Sequence, residues 1–180
     1  MAHLMLWGKT VNVTDRKAIN PTLFLRPEEL RRAADLMFYA HRDFSRLGAN
    51  ILEDADLGAA DHRALQIIGR NPAMTVGELI TTLKVTKQSL HRTLKQLSQA
   101  GLLEQRQGRN DRRQKHLHLT NDGQDLLDEI ENCQHERIMQ AYRKAGPNAI
   151  AAFWEILLYL TDPDEREAIR RSLNLDEILP

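Results

Sequence analysis

A pair of helices joined by almost no linker is the feature that most constrains the fold of this 180-residue chain. The first helix is predicted to begin at Thr75-Val-Gly-Glu78, a capping box in which the threonine hydroxyl and the glutamate carboxylate each accept a bond from a free amide. The second is predicted to begin at Thr86 and to end at Gly101, which suits a left-handed cap. Because only Lys84 and Val85 separate the two helices, the sequence predicts a tight helix-turn-helix.

After this pair of helices, the hydrophobic period changes from 3.6 to 2, which predicts two short strands. Residues 102–107 and 115–119 alternate between apolar and polar side chains, and Gly108-Arg-Asn-Asp111 between them has the composition of a turn. A short helix precedes this unit, and we expect Asp61 to be its N-cap and Asn71-Pro72 to end it. The order helix, helix, tight turn, helix, hairpin is that of a winged helix-turn-helix.

Longer helices are predicted on both sides of this unit. Apolar residues at steps of three and four predict one amphipathic helix over about residues 27–53. After the hairpin, a long helix is predicted from Thr120 or Asn121 to Gly146-Pro147, and residues 147–173 supply one or two more. The chain is therefore predicted to be mainly α, with a small β-hairpin as the wing.

Composition excludes several classes of protein. With 42% hydrophobic and 28% charged residues, the chain is neither disordered nor collagen-like. Its best apolar run, residues 149–160, contains Glu155 and is shorter than the roughly 20 residues of a membrane-spanning helix. Residues 1–8 lack the basic flank and apolar core of a secretory signal, which predicts a cytoplasmic protein. The single cysteine, Cys133, excludes an intrachain disulfide, and we expect it to be a small buried residue of its helix.

Charge is divided unevenly along a chain whose formal net charge is zero. Residues 84–118 contain nine of the 25 lysines and arginines but only two of the 25 acids, a net charge of +7 that the remainder balances with −7. Such asymmetry indicates an anionic partner for the basic segment.

The helix that follows the tight turn is predicted to present an outer face with cations and hydrogen-bond donors but no acid. At 100° per residue, the face opposite its three inward leucines carries Gln88, His91, Arg92, Lys95 and Gln99. Glutamine can pair with adenine and arginine with guanine in the DNA major groove. The first turn, with Thr86, Lys87 and Ser89, suits DNA phosphates. A solvated surface helix is the alternative, but such helices commonly mix charges of both signs.

The predicted hairpin adds more basic residues to the same region, namely Arg109, Arg112, Arg113 and Lys115. Asp111 lies two residues before Arg113, so its carboxylate can brace the guanidinium in an extended pose. A braced arginine on a thin hairpin fits the narrow, strongly negative minor groove of A·T-rich DNA. A basic solubilising turn is the alternative. Taken with the adjacent helix, DNA recognition is favoured.

These motifs closely resemble those of the multiple-antibiotic-resistance regulator (MarR) family. The resemblance is dense over about residues 60–125 and is carried by Thr75-Val-Gly-Glu-Leu, Val85-Thr-Lys-Gln-Ser-Leu-His-Arg, Leu97, Gly101-Leu-Leu, Asp111-Arg-Arg-Gln-Lys, Leu117-His-Leu-Thr and Gly123. It implies an obligate homodimer with a winged helix in each subunit, usually a repressor released by a small phenolic or other ligand, an oxidant or a metal. It also implies that Asp111 and Arg113 are the bracing pair and the minor-groove finger.

A dimer also has a physical reason here. Two winged helices about 34 to 36 Å apart reach successive major-groove faces of a near-palindromic operator. We therefore expect residues 1–25 to form an N-terminal arm, residues 26–57 and 121–180 a helical dimerisation lobe, and residues 58–120 the winged helix-turn-helix DNA-binding domain. The lobe is assigned from apolar residues that the small DNA-binding domain cannot bury, namely Leu30, Phe44, Phe153, Trp154, Leu157 and Leu158.

The sequence thus predicts a dimeric transcription regulator that binds double-stranded DNA sequence-specifically and acts as a ligand-responsive repressor. A winged-helix module that binds an acidic protein is the alternative, and an enzyme ranks last because no phosphate loop, nucleophile elbow or matched acid pair is present. No cofactor is predicted, nor a metal site, since no two of the seven histidines stand at i,i+4 with a carboxylate or thiol partner.

Two further groups of residues have a predicted location but no single predicted role. His116 and His118 share the outward face of their strand, where DNA proximity or solvent exposure explains them. An effector is expected between the first helix and the winged helix-turn-helix, and Phe38, His41, Arg42 and His62 are candidates for a nearby pocket.

Overall fold

The structure is a computed structural model that describes residues 5–6, 9–10, 25–107 and 115–177. The chain forms two compact units, residues 1–45 and 46–180. The first unit contains strands β1 (Met5–Leu6) and β2 (Lys9–Thr10), which pair antiparallel, and helix α1 (Pro27–Ser45). No residue of α1 is buried, and its exposed side chains include Leu30, Leu36, Met37, Phe38 and Tyr39.

The second unit contains seven helices and a two-stranded antiparallel sheet within its described residues. In chain order these are α2 (Ala49–Asp54), α3 (Ala59–Arg70), α4 (Val76–Leu83), α5 (Lys87–Gln99), β3 (Leu103–Gln107), β4 (Lys115–Leu119), α6 (Asn121–Ala145), α7 (Pro147–Tyr159) and α8 (Arg166–Ser172). A single 3₁₀ turn follows at Leu175–Glu177. The predicted fold class is confirmed: a mainly α protein with a winged helix-turn-helix. No helix in the described ranges is both long and apolar enough to cross a lipid bilayer.

The core of the second unit joins α3, α4 and α5 to the hairpin and to α6. Each of five elements contributes a leucine that is essentially inaccessible to solvent: Leu65 of α3, Leu79 of α4, Leu97 of α5, Leu117 of β4 and Leu127 of α6. Burial of one such side chain contributes about 1.5–3 kcal/mol. The positions of α5 and of the hairpin are therefore set by one continuous apolar cluster.

The prediction of one helix over residues 27–53 is wrong. α1 ends at Ser45 and α2 begins at Ala49, with Gly48 between them in the left-handed region at φ 77°. A Cβ atom on Gly48 would lie 3.0 Å from Ile130 Cγ2, so the backbone passes close to α6 at this point. The apolar period continues across the break, and for that reason periodicity alone did not reveal it.

The predicted N-cap of α3 is also wrong. Gly58 is the N-cap, α3 begins at Ala59, and Asp61 lies in the first turn. The Asp61 carboxylate accepts a hydrogen bond from the Gly58 N–H at 2.9 Å. A carboxylate can satisfy a free amide either as the cap or from three positions further on, and the sequence does not distinguish these arrangements.

The expectation that Cys133 is buried is wrong as well, because its side chain is exposed. The buried stripe of α6 consists of Gly123, Leu127, Ile130 and Gln134. Neighbouring helical residues are turned 100° from each other, so burial of Gln134 directs Cys133 away from the core.

α6 begins where the sequence predicts, and its first turn packs tightly against the base of the wing. The Thr120 hydroxyl accepts from the Gly123 N–H at 3.1 Å and donates to the Gly101 carbonyl at 2.7 Å. A Cβ atom on Gly123 would lie 2.1 Å from the Leu102 carbonyl oxygen. Only glycine permits this approach of α6 to Leu102, just before β3.

Candidate nucleic-acid interface

The capping box predicted at the start of α4 is confirmed. The Glu78 N–H donates to the Thr75 hydroxyl at 3.2 Å, and the Thr75 N–H donates to the Glu78 carboxylate at 2.6 Å. The Thr75 hydroxyl also donates to that carboxylate at 2.8 Å. The two bonds that the Glu78 carboxylate accepts lower the pKa of Glu78 below its ordinary value, and the bond from the Thr75 N–H has the larger effect. Nearby His116 acts in the same direction. The first helix of the pair is thus fixed at its origin.

The turn between α4 and α5 is built on Lys84, which lies in the left-handed region at φ 51° and ψ 42°. The Lys84 N–H donates to the Thr81 carbonyl at 3.3 Å, and the Val85 N–H donates to the Ile80 carbonyl at 3.4 Å. This is the Schellman pattern, which commonly places glycine at the left-handed position. The tight turn predicted from the two-residue linker is therefore present, with lysine where glycine is usual.

The faces of α5 divide as the sequence predicts. Its buried side chains are Leu90, Thr93, Leu94 and Leu97. The predicted outward residues are all exposed, namely Thr86, Lys87, Gln88, Ser89, His91, Arg92, Lys95 and Gln99. Thr86 is the N-cap, and its hydroxyl accepts from the Ser89 N–H at 3.2 Å. The structure therefore presents one continuous polar face, which begins at a capped helix N-terminus.

The cations of this face are available to an external anion. No carboxylate in the described ranges forms an ion pair with Lys87, Arg92 or Lys95. Their charge is therefore not neutralised within that part of the chain. A positive, donor-rich helix face of this kind can contact both DNA phosphates and base edges.

One residue of α5 has a role that the sequence did not predict. Gln96 is half-buried, and its side-chain amide donates to the Asp56 carbonyl at 2.7 Å. This bond ties the middle of α5 to the loop that precedes α3. Nothing in the sequence distinguishes Gln96 from the exposed glutamines of the same helix, because its partner is a backbone carbonyl brought near only by folding.

The base of the wing is attached to the loop between α3 and α4. The Ala73 N–H donates to the Leu117 carbonyl at 3.1 Å, and the Leu117 N–H donates to the Met74 carbonyl at 2.8 Å. The His116 ring nitrogen Nδ1 is bonded to the Ala73 carbonyl. His116 is therefore half-buried and has a structural partner, so plain solvent exposure does not explain this residue, while DNA proximity stays a prediction.

The strands of the wing begin and end as predicted to within one residue. Leu103 pairs with Leu119 at the base, and Gln107 pairs with Lys115 at the outer end. Lys115 is exposed, whereas the guanidinium of Arg106 is paired with Glu104 of the same strand. The four remaining predicted wing residues, Arg109, Asp111, Arg112 and Arg113, lie outside the described residues.

The residues described here form no cluster of three or more His, Cys, Asp or Glu side chains that could hold a metal ion.

Known proteins share this arrangement of helices and wing. The profile of the MarR family matches residues 55–114, which include α3, α4, α5 and β3. The HTH-type transcriptional regulator PetP of Rhodobacter capsulatus is 46% identical over 144 residues, which are 80% of this chain and 87% of that protein. The chain belongs to the MarR family. This MarR-family protein is a DNA-binding transcription regulator.

Solved structures agree with the family assignment. A mutant MarR from E. coli complexed with operator DNA has a TM-score of 0.55 at 26% identity, covering 76% of this chain and 96% of that one. NadR in complex with 4-hydroxyphenylacetate has a TM-score of 0.59 at 23% identity, covering 69% of this chain and 88% of that one. At this identity, the likeness to NadR shows a shared fold.

Proposed function

We propose that this MarR-family protein is a dimeric, ligand-responsive repressor that reads a near-palindromic operator. The observation that carries the proposal is the exposed face of α5, which has donors and unpaired cations within the described ranges and contains no acid. Its MarR relative from E. coli, which was solved with operator DNA, supports the same use of the fold.

Two kinds of contact are proposed for this face. Gln88, His91, Arg92 and Lys95 lie along the exposed side, where they can reach base edges in the major groove. Thr86, Lys87 and Ser89 surround the N-terminus of α5, where free amides and the helix dipole favour a phosphate.

The wing is proposed to hold the adjacent minor groove. Lys115 is exposed at the outer end of β4, and the chain between β3 and β4 contains Arg109, Arg112 and Arg113. The family resemblance implies that Asp111 braces Arg113 there. Attachment of β4 to the α3–α4 loop supports the proposal, because a fixed base gives the wing a defined direction relative to α5.

The dimer is proposed from apolar surface that the described chain leaves uncovered. α7 is rich in apolar residues and carries a single charged residue, Glu155, and helices of this composition are normally buried on most sides. Its inner side packs Leu158 within the fold, while its outer side exposes Phe153, Ile156 and Tyr159, along with Leu160 just beyond its end. α1 exposes a second apolar stripe. A second copy of the chain is the occupant we propose for these surfaces.

A small-molecule effector completes the proposal, as the family resemblance implies. An apolar cavity of 360 Å³ lies between α7 and α8 and is lined by Trp154, Leu157, Leu158, Thr161, Ile169, Leu173 and Leu175. Its volume falls in the range of small-molecule sites, and the absence of charge from its lining suits an uncharged apolar group. Titration calorimetry with phenolic and aliphatic candidates tests this part independently of DNA.

The experiment that tests DNA recognition is selection of bound duplexes from a random pool, followed by footprinting of the selected sequence. The proposal predicts a near-palindrome whose half-sites are about one helical turn apart. Weak, salt-labile binding without a preferred sequence would contradict it and would favour a module for an acidic protein.

Two variants then distinguish base contacts from phosphate contacts. We expect Arg92→Ala to weaken binding by about 1–3 kcal/mol and to relax preference at one base pair. Lys87→Ala is expected to weaken binding to all sequences alike and to lower the salt slope by about one charge.

Arg113→Ala tests the wing and is expected to weaken operator binding and to lower the salt slope. Unchanged affinity across a salt titration would contradict the wing assignment.

A further inference from the structure

Lys84 connects the helix-turn-helix to a segment far along the chain. Its Nζ lies 3.0 Å from a Glu165 carboxylate oxygen and 3.5 Å from an Asp162 carboxylate oxygen. Both acids belong to the turn between α7 and α8. We name Lys84, Asp162 and Glu165 the clasp.

The acidic side of the clasp is held in place by its own hydrogen bonds. Asp162 Oδ1 accepts from the Asp164 N–H at 3.1 Å, which leaves Oδ2 to Lys84. The Arg166 guanidinium, next to Glu165, closes the end of α7 by donating to carbonyls at 3.0–3.4 Å, those of Leu158, Tyr159 and Thr161. The Asp162 carboxylate and the end of α7 are therefore fixed by hydrogen bonds from within the same segment.

The basic side of the clasp lies just before the start of α5. Lys84 occupies the left-handed position of the α4–α5 turn, two residues before the N-cap Thr86. Glycine adopts this conformation more readily than lysine, so the turn itself does not require the side chain. The Glu165 carboxylate, and more weakly Asp162, raise the pKa of Lys84, which is the direction expected of an ammonium held by its partners.

We propose that the clasp is a positioning device for DNA recognition, and that Lys84 is a positioning residue. By tying the α4–α5 turn to the α7–α8 turn, it fixes the N-terminus of α5 in the orientation that binds DNA. The inference rests on the proposed function of α5. It also gives the C-terminal helices a direct route by which a change in α7 or α8 alters the reading helix.

The test compares four variants for binding to the duplex selected from the random pool. Lys84→Gly keeps the left-handed turn and removes the ammonium, while Asp162→Asn combined with Glu165→Gln removes the two carboxylates. Each is expected to weaken binding about two- to fivefold, since exposed ion pairs are individually weak. Lys84→Arg is expected to restore most of the affinity, and Glu167→Gln, an exposed acid of α8 outside the clasp, is expected to change nothing.

The direction of the carboxylate variant decides between the clasp and simple charge effects. If Lys84 only contacted a DNA phosphate, or if the acids only repelled DNA, removal of Asp162 and Glu165 would tighten binding. Tighter binding therefore overturns the proposal. Combining both sets of substitutions should cost no more than either set alone, because each breaks the same contact, and additive losses would also overturn it.

A second measurement needs no DNA and separates failure of the clasp from failure of the proposed function. Hydrogen exchange of the Val85 and Ser89 amides is expected to quicken by a similar factor in Lys84→Gly and in the double carboxylate variant, while Glu167→Gln leaves it unchanged. Unchanged exchange in both clasp variants overturns the positioning role, whatever the outcome of DNA selection.

Discussion

At the scale of single residues, Gly123 shows how one position can fix the relation of two elements. The Leu102 carbonyl lies so near that a Cβ atom on Gly123 would come within 2.1 Å of its oxygen. That atom belongs to the backbone, which cannot move aside as a flexible side chain can. The base of the wing and the start of α6 therefore depend on the missing side chain.

We expect Gly123→Ala to lower the free energy of unfolding by about 2 kcal/mol, as overpacking of a tight interior does. Urea denaturation measures the change. Gly77→Ala is the matched control, because nothing lies closer than 3.9 Å to its Cβ position and alanine favours a helix. A Gly123→Ala protein as stable as the control would contradict the steric explanation.

His62 is a second residue whose environment has a measurable consequence. It is buried, and its Nε2 has no hydrogen-bond partner in the described part of the chain. Burial lowers the pKa of His62 below its ordinary value of 6.5, while Glu131 opposes this shift and Arg63 and Arg70 add to it. The folded protein therefore binds this proton less readily than the unfolded chain does.

The sign of the pH dependence follows from this difference. The stability associated with neutral His62 is complete above pH 6.5 and is lost as the pH falls below that value toward the folded-state pKa. We expect urea denaturation at pH 7.5 and 5.5 to show a smaller loss in His62→Gln than in the unsubstituted protein. The exposed His135→Gln variant should behave as the unsubstituted protein, and identical losses in all three would refute the assignment.

At the scale of elements, the start of α4 was predictable because its signal is local. Thr75 and Glu78 are three residues apart and satisfy each other's amides without help from the rest of the fold. Thr86 at the start of α5 and Thr120 at the start of α6 likewise accept a hydrogen bond from the amide three residues further on. Elements defined by such caps were placed correctly from sequence.

The capping box gives a prediction at this scale. Thr75→Ala removes the acceptor of the Glu78 N–H and is expected to lower the free energy of unfolding by about 1 kcal/mol. Thr75→Ser keeps the hydroxyl and should retain most of that stability. Thermal and urea unfolding of both variants provide the measurement, and equal losses would show that the methyl group rather than the cap is responsible.

Elements defined by contacts far along the chain were less predictable. The apolar period of residues 27–53 continues through Gly48, so the break between α1 and α2 was missed. Similarly, the stripe of α6 passes through Gln134 rather than Cys133, because packing selects which of two neighbouring residues faces inward. Periodicity locates a face to within about one residue, and tertiary contacts decide the remainder.

At the scale of the whole molecule, the exposed apolar side of α7 predicts self-association. We expect Phe153→Glu combined with Ile156→Glu to convert a dimer to a monomer in sedimentation velocity, because two buried charges are costly at an apolar interface. Operator affinity should fall in parallel, since a monomer reaches only one half-site. Glu53→Lys, at an exposed position of α2, is the control for altered surface charge. An unsubstituted protein that is already monomeric would refute the dimer.

The sequence by itself determined the order of elements, the caps of the helix-turn-helix and the polar face of α5, because each depends on residues within a few turns of one another. Only the tertiary structure decided which groups meet across long stretches of chain. The Lys84 clasp, the bond of His116 to Ala73 and the contact of Gly123 with Leu102 are of this kind. Their partners are single carboxylates or backbone carbonyls, which leave no periodic pattern in the sequence.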